Sequence, residues 1–250
     1  MYPIIMIYGN AGSGKDYIAA KIESDPGFPY VAKIALADPI KELLVRVVDW
    51  PEHSDLFGPS SERSNVRFWK SDKATRTKTL MEREAPIVVN KYIEQLEIGR
   101  NRTQKHIDDL LAICSKIIYR KAGTSARMAL QEVGDWGRAI HPELWIRLTL
   151  QRAEELLSNS LIRTDTVIIT DGRYKNEVLA IKKIGGAVIK VNPLNKDFVP
   201  DKHSSEQDQV NIPDFWFDTV LNNSNDMPAL HRFLNKYQCR PSINLFLPPT

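Results

Sequence analysis

The chain has 250 residues, 42% apolar and 26% charged, with a formal net charge of +3. That length suits one sizeable core, or a core carrying an inserted subdomain. So small a net charge gives no electrostatic argument for a nucleic-acid partner. No apolar stretch approaches the roughly 20 residues that span a bilayer. The first strand begins with no basic leader before it, and Cys114 and Cys239 form no metal-type spacing. These features together read as a cytoplasmic protein with reduced thiols.

In chain order, the apolar run Pro3–Tyr8 is a buried strand. It is followed by Gly9-Asn10-Ala11-Gly12-Ser13-Gly14-Lys15-Asp16 and a helix over Lys15–Glu23. Strand, glycine-rich loop, then Gly-Lys opening a helix is the context of a phosphate-binding P-loop. Its amides point inward, the helix N-terminus adds partial positive charge, and Lys15 reaches terminal phosphates. Asp16 stands where Ser or Thr ordinarily offers a hydroxyl to Mg²⁺. A second strand is expected at Tyr30–Leu36 and a helix at Pro39–Val48.

The stretch from about Trp50 to Ser160 breaks the strand–helix rhythm. Asp55–Lys78 is polar and reads as a loop, with Arg63, Arg67, Lys73 and Arg76 as an acceptor-side or lid group against the simpler alternative of a solvated face. Ile87-Val88-Val89 is the one strand-like run. Helices are expected at Asn90–Glu97, Gln104–Tyr119, Ser125–Gly137 and Pro142–Leu157. Further strands at Thr166–Asp171, Ala187–Asn192 and Phe217–Asn222 alternate with helices at Tyr174–Ile184 and Met227–Tyr237. The expected fold is therefore α/β, a five-stranded parallel sheet with a helical insertion between strands two and three. The core takes residues 1–50 and 160–238, the insertion 51–159, a lid 193–213 and a C-terminal tail 239–250.

Thr170-Asp171-Gly172-Arg173 ends the third strand, where open α/β sheets bind ligands. Asp171 there could hold Mg²⁺ through water or accept a proton, and Arg173 would face transferring phosphates. The structural alternative is that Asp171 caps the next helix and Arg173 pairs with a surface carboxylate. Arg127, Gln131 and Arg138, spaced four and seven apart, share one helical face suited to a monophosphate and a base edge. Trp136 could stack on a base, though core packing is the commoner role of such an aromatic. Lys41 could reach the acceptor phosphate from its helix, against the equal alternative of a solvated lysine.

Several blocks taken in order resemble the phage-type deoxynucleoside monophosphate kinases of the P-loop kinase superfamily. They are Gly9–Asp16, Ala37–Lys41, Thr124–Arg138 with His141–Trp145, Asp171–Glu177 with Gly185-Gly186, His203-Ser204-Ser205-Glu206, and Phe217-Asp218 with Asn222-Asn223. In that family the loop also reads Gly-Lys-Asp, so Asp16 looks like a family trait. The resemblance implies ATP with Mg²⁺ as donor and a deoxynucleoside monophosphate as acceptor, with Lys15, Asp171 and Arg173 catalytic. It implies that Gly9, Asn10, Ala11, Gly12, Ser13, Gly14, Lys15 and Asp16 bind the nucleotide, and that Asp16 and Asp171 fix the metal through water. The acceptor would be held by Lys41, Arg127 (phosphate), Gln131 (base), Trp136 and Arg138. Partners are then small molecules, not nucleic acid or membrane, with a homodimer left open; a phage-encoded enzyme would work in the host cytoplasm. Two rivals are a phosphomevalonate-type kinase and a non-catalytic nucleotide-binding protein.

Overall fold

The computed structural model describes residues 3–10, 12–59, 61–97, 99–193, 212–222 and 225–238. The described elements in chain order are β1 (Ile4–Tyr8), α1 (Lys15–Glu23), β2 (Val31–Ile34), α2 (Asp38–Val48), α3 (His53–Phe57), β3 (Val66–Arg67), α4 (Ser71–Gln95), α5 (Thr103–Tyr119), β4 (Thr124–Ser125), α6 (Ala126–Ile140) and α7 (Leu144–Ser158). They continue as β5 (Thr166–Gly172), α8 (Lys175–Lys183), β6 (Ala187–Val191), β7 (Thr219–Leu221) and α9 (Met227–Gln238). The chain divides into two compact units, one of residues up to Leu36 and from Thr149, the other Ala37–Leu148.

The first unit holds a parallel five-stranded sheet in the order β2-β5-β1-β6-β7. All five residues of the central strand β1 are buried, as its unbroken apolar run requires. On one face Ile5, Ile7, Ile168 and Ile189 pack with Ile18, Ala19 and Ile22 of α1 and with Leu230, Phe233 and Leu234 of α9. Each such fully buried isoleucine contributes roughly 1.5–3 kcal/mol. α8 ends where Gly185, at φ 76°, donates its amide to Lys182 O while Gly186 donates to Ile181 O, closing the helix and turning the chain into β6. The five sheet strands lie where the apolar runs put them.

The second unit is a helical body with the antiparallel ribbon β3–β4. Leu43, Leu44, Val47 and Val48 of α2 form a core with Met81, Ala85, Val88 and Val89 of α4 and Leu110, Cys114 and Ile117 of α5. Burial pushes the Cys114 thiol up to about 12.

Three expectations are corrected here. Ile87-Val88-Val89 is no strand but the middle of α4, whose buried residues Ala74, Thr77, Met81, Ala85, Val88, Val89 and Tyr92 recur at helical spacing. The helix expected at Asn90–Glu97 is the last part of α4. Nor is Asp55–Lys78 a loop: it contains most of α3, a 3₁₀ turn at Glu62–Ser64, β3 and the start of α4. Its polarity serves an internal anchor. Asp55 is fully buried and accepts from Arg67 Nε at 2.6 Å, Arg67 Nη2 at 2.7 Å and Trp50 Nε1 at 3.1 Å. The Arg67 hydrogen bonds hold the Asp55 carboxyl below its ordinary value, against the effect of burial. The lid at 193–213 lies almost wholly, and the tail from 239 wholly, outside the described residues. Among those residues no helix is long and apolar enough to cross a membrane.

Candidate active site

In the sheet unit, β1 leads into the glycine loop at the carboxyl edge. The Gly9 amide donates to Gly172 O at 3.2 Å, tying the loop to the end of β5. On its other side Gly9 lies so close to β6 that a Cβ would sit 2.5 Å from Val191 O. With φ at 156° as well, only glycine fits there. Gly12 differs: among the described residues nothing lies within 4 Å of a Cβ placed there, and its φ of 75° alone demands glycine. α1 then starts at Lys15, so the amides of its first turn border the loop.

Lys15 is buried, and its Nζ donates to Gly9 O at 2.7 Å and Asn10 O at 2.5 Å, which folds the ammonium over the loop it serves. Ser13 is also buried, and its Oγ has no hydrogen-bond partner among the described residues. Asp16 is exposed in the first turn of α1 and makes no hydrogen bond or ion pair among the described residues. Ala11 lies outside those residues.

Asp171 is half-buried at the end of β5, and its Oδ1 accepts from the Leu36 amide at 2.5 Å, joining the β5 terminus to the segment after β2. It does not cap α8. That task falls to Glu177, whose Oε2 accepts from the amides of Arg173 at 2.6 Å and Tyr174 at 2.8 Å. The turn Asp171-Gly172-Arg173 is thus fixed at both ends. The structural role of Glu177 was legible in its spacing three residues after Tyr174. Loop amides, an ammonium and two carboxylates in one unit suit a polyphosphate with a cation. Among the described residues no three His, Cys, Asp or Glu side chains gather as a metal cluster.

In the helical unit, Ser125 caps α6 by accepting from the Met128 amide at 3.3 Å. Arg127 is exposed and Gln131 half-buried one turn on; neither makes a hydrogen bond or ion pair among the described residues. Arg138 on the same face bonds Asp135 through Nη2–Oδ1 at 2.5 Å. The glycines of the Leu130–Arg138 block are packing devices. A Cβ on Gly137 would fall 2.1 Å from the Trp145 ring, and Trp145 Nε1 donates to Gly134 O at 2.9 Å.

Trp136 belongs to the core. It is 5% exposed and its Nε1 donates to His106 O at 3.1 Å, so little of the ring is left to stack on a base. Lys41 is no solvated lysine: it is buried, bonded to Asp38 Oδ1 at 2.7 Å, with its Nζ 5.3 Å from the centre of the Phe57 ring. The i, i+3 spacing on α2 places Asp38 within reach of Lys41. Of the expected cation group, Arg67 is bound to Asp55, and Lys73 lies 3.5 Å from Asp49.

A parallel sheet with a glycine loop at the carboxyl end of its central strand, and a lysine opening the next helix, defines a P-loop nucleotide-binding fold. The chain matches the deoxynucleotide monophosphate kinase family model over residues 3–233 and belongs to that family. No individual curated protein matches it. Membership makes it a phosphotransferase acting on deoxynucleoside monophosphates and implies the use of ATP.

Proposed function

We propose that the two units divide the substrates, the sheet unit binding ATP and the helical unit the deoxynucleoside monophosphate. The β- and γ-phosphates of ATP lie on the amides of Gly9–Lys15, and Lys15 and Arg173 neutralise charge as the γ-phosphoryl leaves. An acceptor phosphate oxygen bonds the γ-phosphorus while the bond to the β,γ-bridging oxygen breaks, leaving ADP and a deoxynucleoside diphosphate. Asp16 and Asp171 hold Mg²⁺ through water, within the one or two carboxylates magnesium usually takes beside substrate phosphates. Bound there, the ion supplies further charge neutralisation.

Arg127, Arg138 and Lys41 take the acceptor phosphate, and Gln131 the base edge. The observation that carries this assignment is the face of α6, where Arg127 and Gln131 lie one turn apart with no partner among the described residues. A charged and an amide side chain left without protein partners are suited to a ligand that supplies them. The same reading takes the protein to be a cytoplasmic enzyme.

The test is a coupled ADP-release assay across the four common deoxynucleoside monophosphates, their ribo counterparts and phosphomevalonate. ADP formation with at least one deoxynucleotide and none with phosphomevalonate is expected. No turnover of any deoxynucleotide would overturn the reading.

A further inference from the structure

Among the cations of the polar segment before and within the start of α4, Arg63, Arg67, Lys73 and Arg76 have different surroundings. Arg67 is spent on the buried Asp55, Lys73 lies near Asp49, and Arg76 is exposed. Arg63 is unlike them. It sits half-buried in the 3₁₀ turn Glu62–Ser64, its Nε is withdrawn from solvent, and it has no hydrogen-bond or ion-pair partner among the described residues. A guanidinium N–H taken from water without an acceptor is costly, and the cost is offset when an anion arrives.

The turn that carries Arg63 packs against α6, the helix bearing Arg127 and Gln131, within the same unit. In a deoxynucleoside monophosphate the charge resides on the 5′-phosphate. We propose that Arg63 is a further acceptor-binding residue whose guanidinium takes that phosphate, an inference that rests on reading α6 as the acceptor helix. Arg63 and Arg127 then hold the phosphate from two elements, while Gln131 meets the base. A planar, permanently charged donor fork suits that task better than lysine.

The experiment compares Arg63→Ala and Arg63→Gln with the parent enzyme, measuring KM for the preferred deoxynucleoside monophosphate, KM for ATP, inhibition by the unphosphorylated deoxynucleoside, and thermal melting. The acceptor KM should rise on the order of 10- to 100-fold, the worth of a charge-assisted hydrogen bond. ATP KM, deoxynucleoside inhibition and melting temperature should stay near parental values. Arg63→Gln keeps length and an N–H donor, so it carries the test if the alanine variant folds poorly. An acceptor KM within twofold of the parent in a folded variant overturns the proposal. So does a parallel rise in both KM values with a lowered melting temperature, which marks a structural role. Equal weakening of deoxynucleoside and monophosphate overturns the assignment to phosphate. If the parent turns over no deoxynucleotide, the acceptor reading itself fails, and Arg63 with it.

Discussion

The amide of Gly9 donates to the carbonyl of Gly172, so the first residue of the phosphate loop is bonded to the residue that follows Asp171. Loop and acidic strand end are therefore one rigid edge of the sheet unit. Substitution should reveal two different constraints within this loop. Gly9→Ala meets Val191 O and a positive φ together, and should lower both stability and ATP affinity. Gly12→Ala meets nothing within 4 Å among the described residues and should cost only the backbone term, about 1–2 kcal/mol. Urea unfolding of the two variants checks this; equal losses would contradict it.

Asp16 is exposed and unbonded among the described residues, so its removal should hardly touch the fold. Its place in the first turn of α1 is worth about 0.3–1 kcal/mol through the helix dipole. Asp16→Ala should instead lose activity most severely at limiting Mg²⁺, with partial recovery as the ion is raised. Unchanged turnover at limiting Mg²⁺ would show that the residue has another task.

The buried Asp55–Arg67 pair should govern part of the acid stability. Arg67 hydrogen bonds hold the Asp55 carboxyl below 3.8 in the folded state. Its contribution is therefore fully present above the unfolded value and is lost as pH falls through the lower folded one. Asp55→Asn should flatten the acid limb of the stability curve below pH 3.8. Arg67→Ala, which strands a buried carboxylate, should cost about 3 kcal/mol near neutrality. An acid limb of parental slope in Asp55→Asn would contradict the assignment.

Pro86 lies inside α4, where it removes the hydrogen bond to Glu82 O. Pro86→Ala should stabilise the protein by about 1–3 kcal/mol in urea unfolding. A destabilised variant would mean that the proline itself is needed for packing.

The same proline explains where the sequence misleads. Val167-Ile168-Ile169 and Ile87-Val88-Val89 are alike as short β-branched runs, yet the first is a strand and the second helical. In α4 the spacing of Ala85, Val88, Val89 and Tyr92 against α2 and α5 decides the outcome, which a breaker followed by β-branched residues conceals. Asp55 was invisible for another reason. A carboxylate whose partner is twelve residues away on another element has no periodicity to betray it. The glycine loop and the strand before it were legible because their chemistry is local: φ-permissive residues, then a lysine at a helix start. The burial of Trp136 and Lys41 depends on neighbours from other helices, so spacing alone left their roles open.

The proposed division of labour lies between Lys15 on the sheet unit and Arg127 on the helical unit. Calorimetric titration of ATP and of the preferred deoxynucleoside monophosphate into Lys15→Met and Arg127→Ala tests it most directly. The account predicts that Lys15→Met loses affinity for ATP while keeping that for the acceptor, and that Arg127→Ala does the reverse by on the order of tenfold or more. Loss of both affinities in either folded variant, or unchanged acceptor affinity in Arg127→Ala, would contradict it.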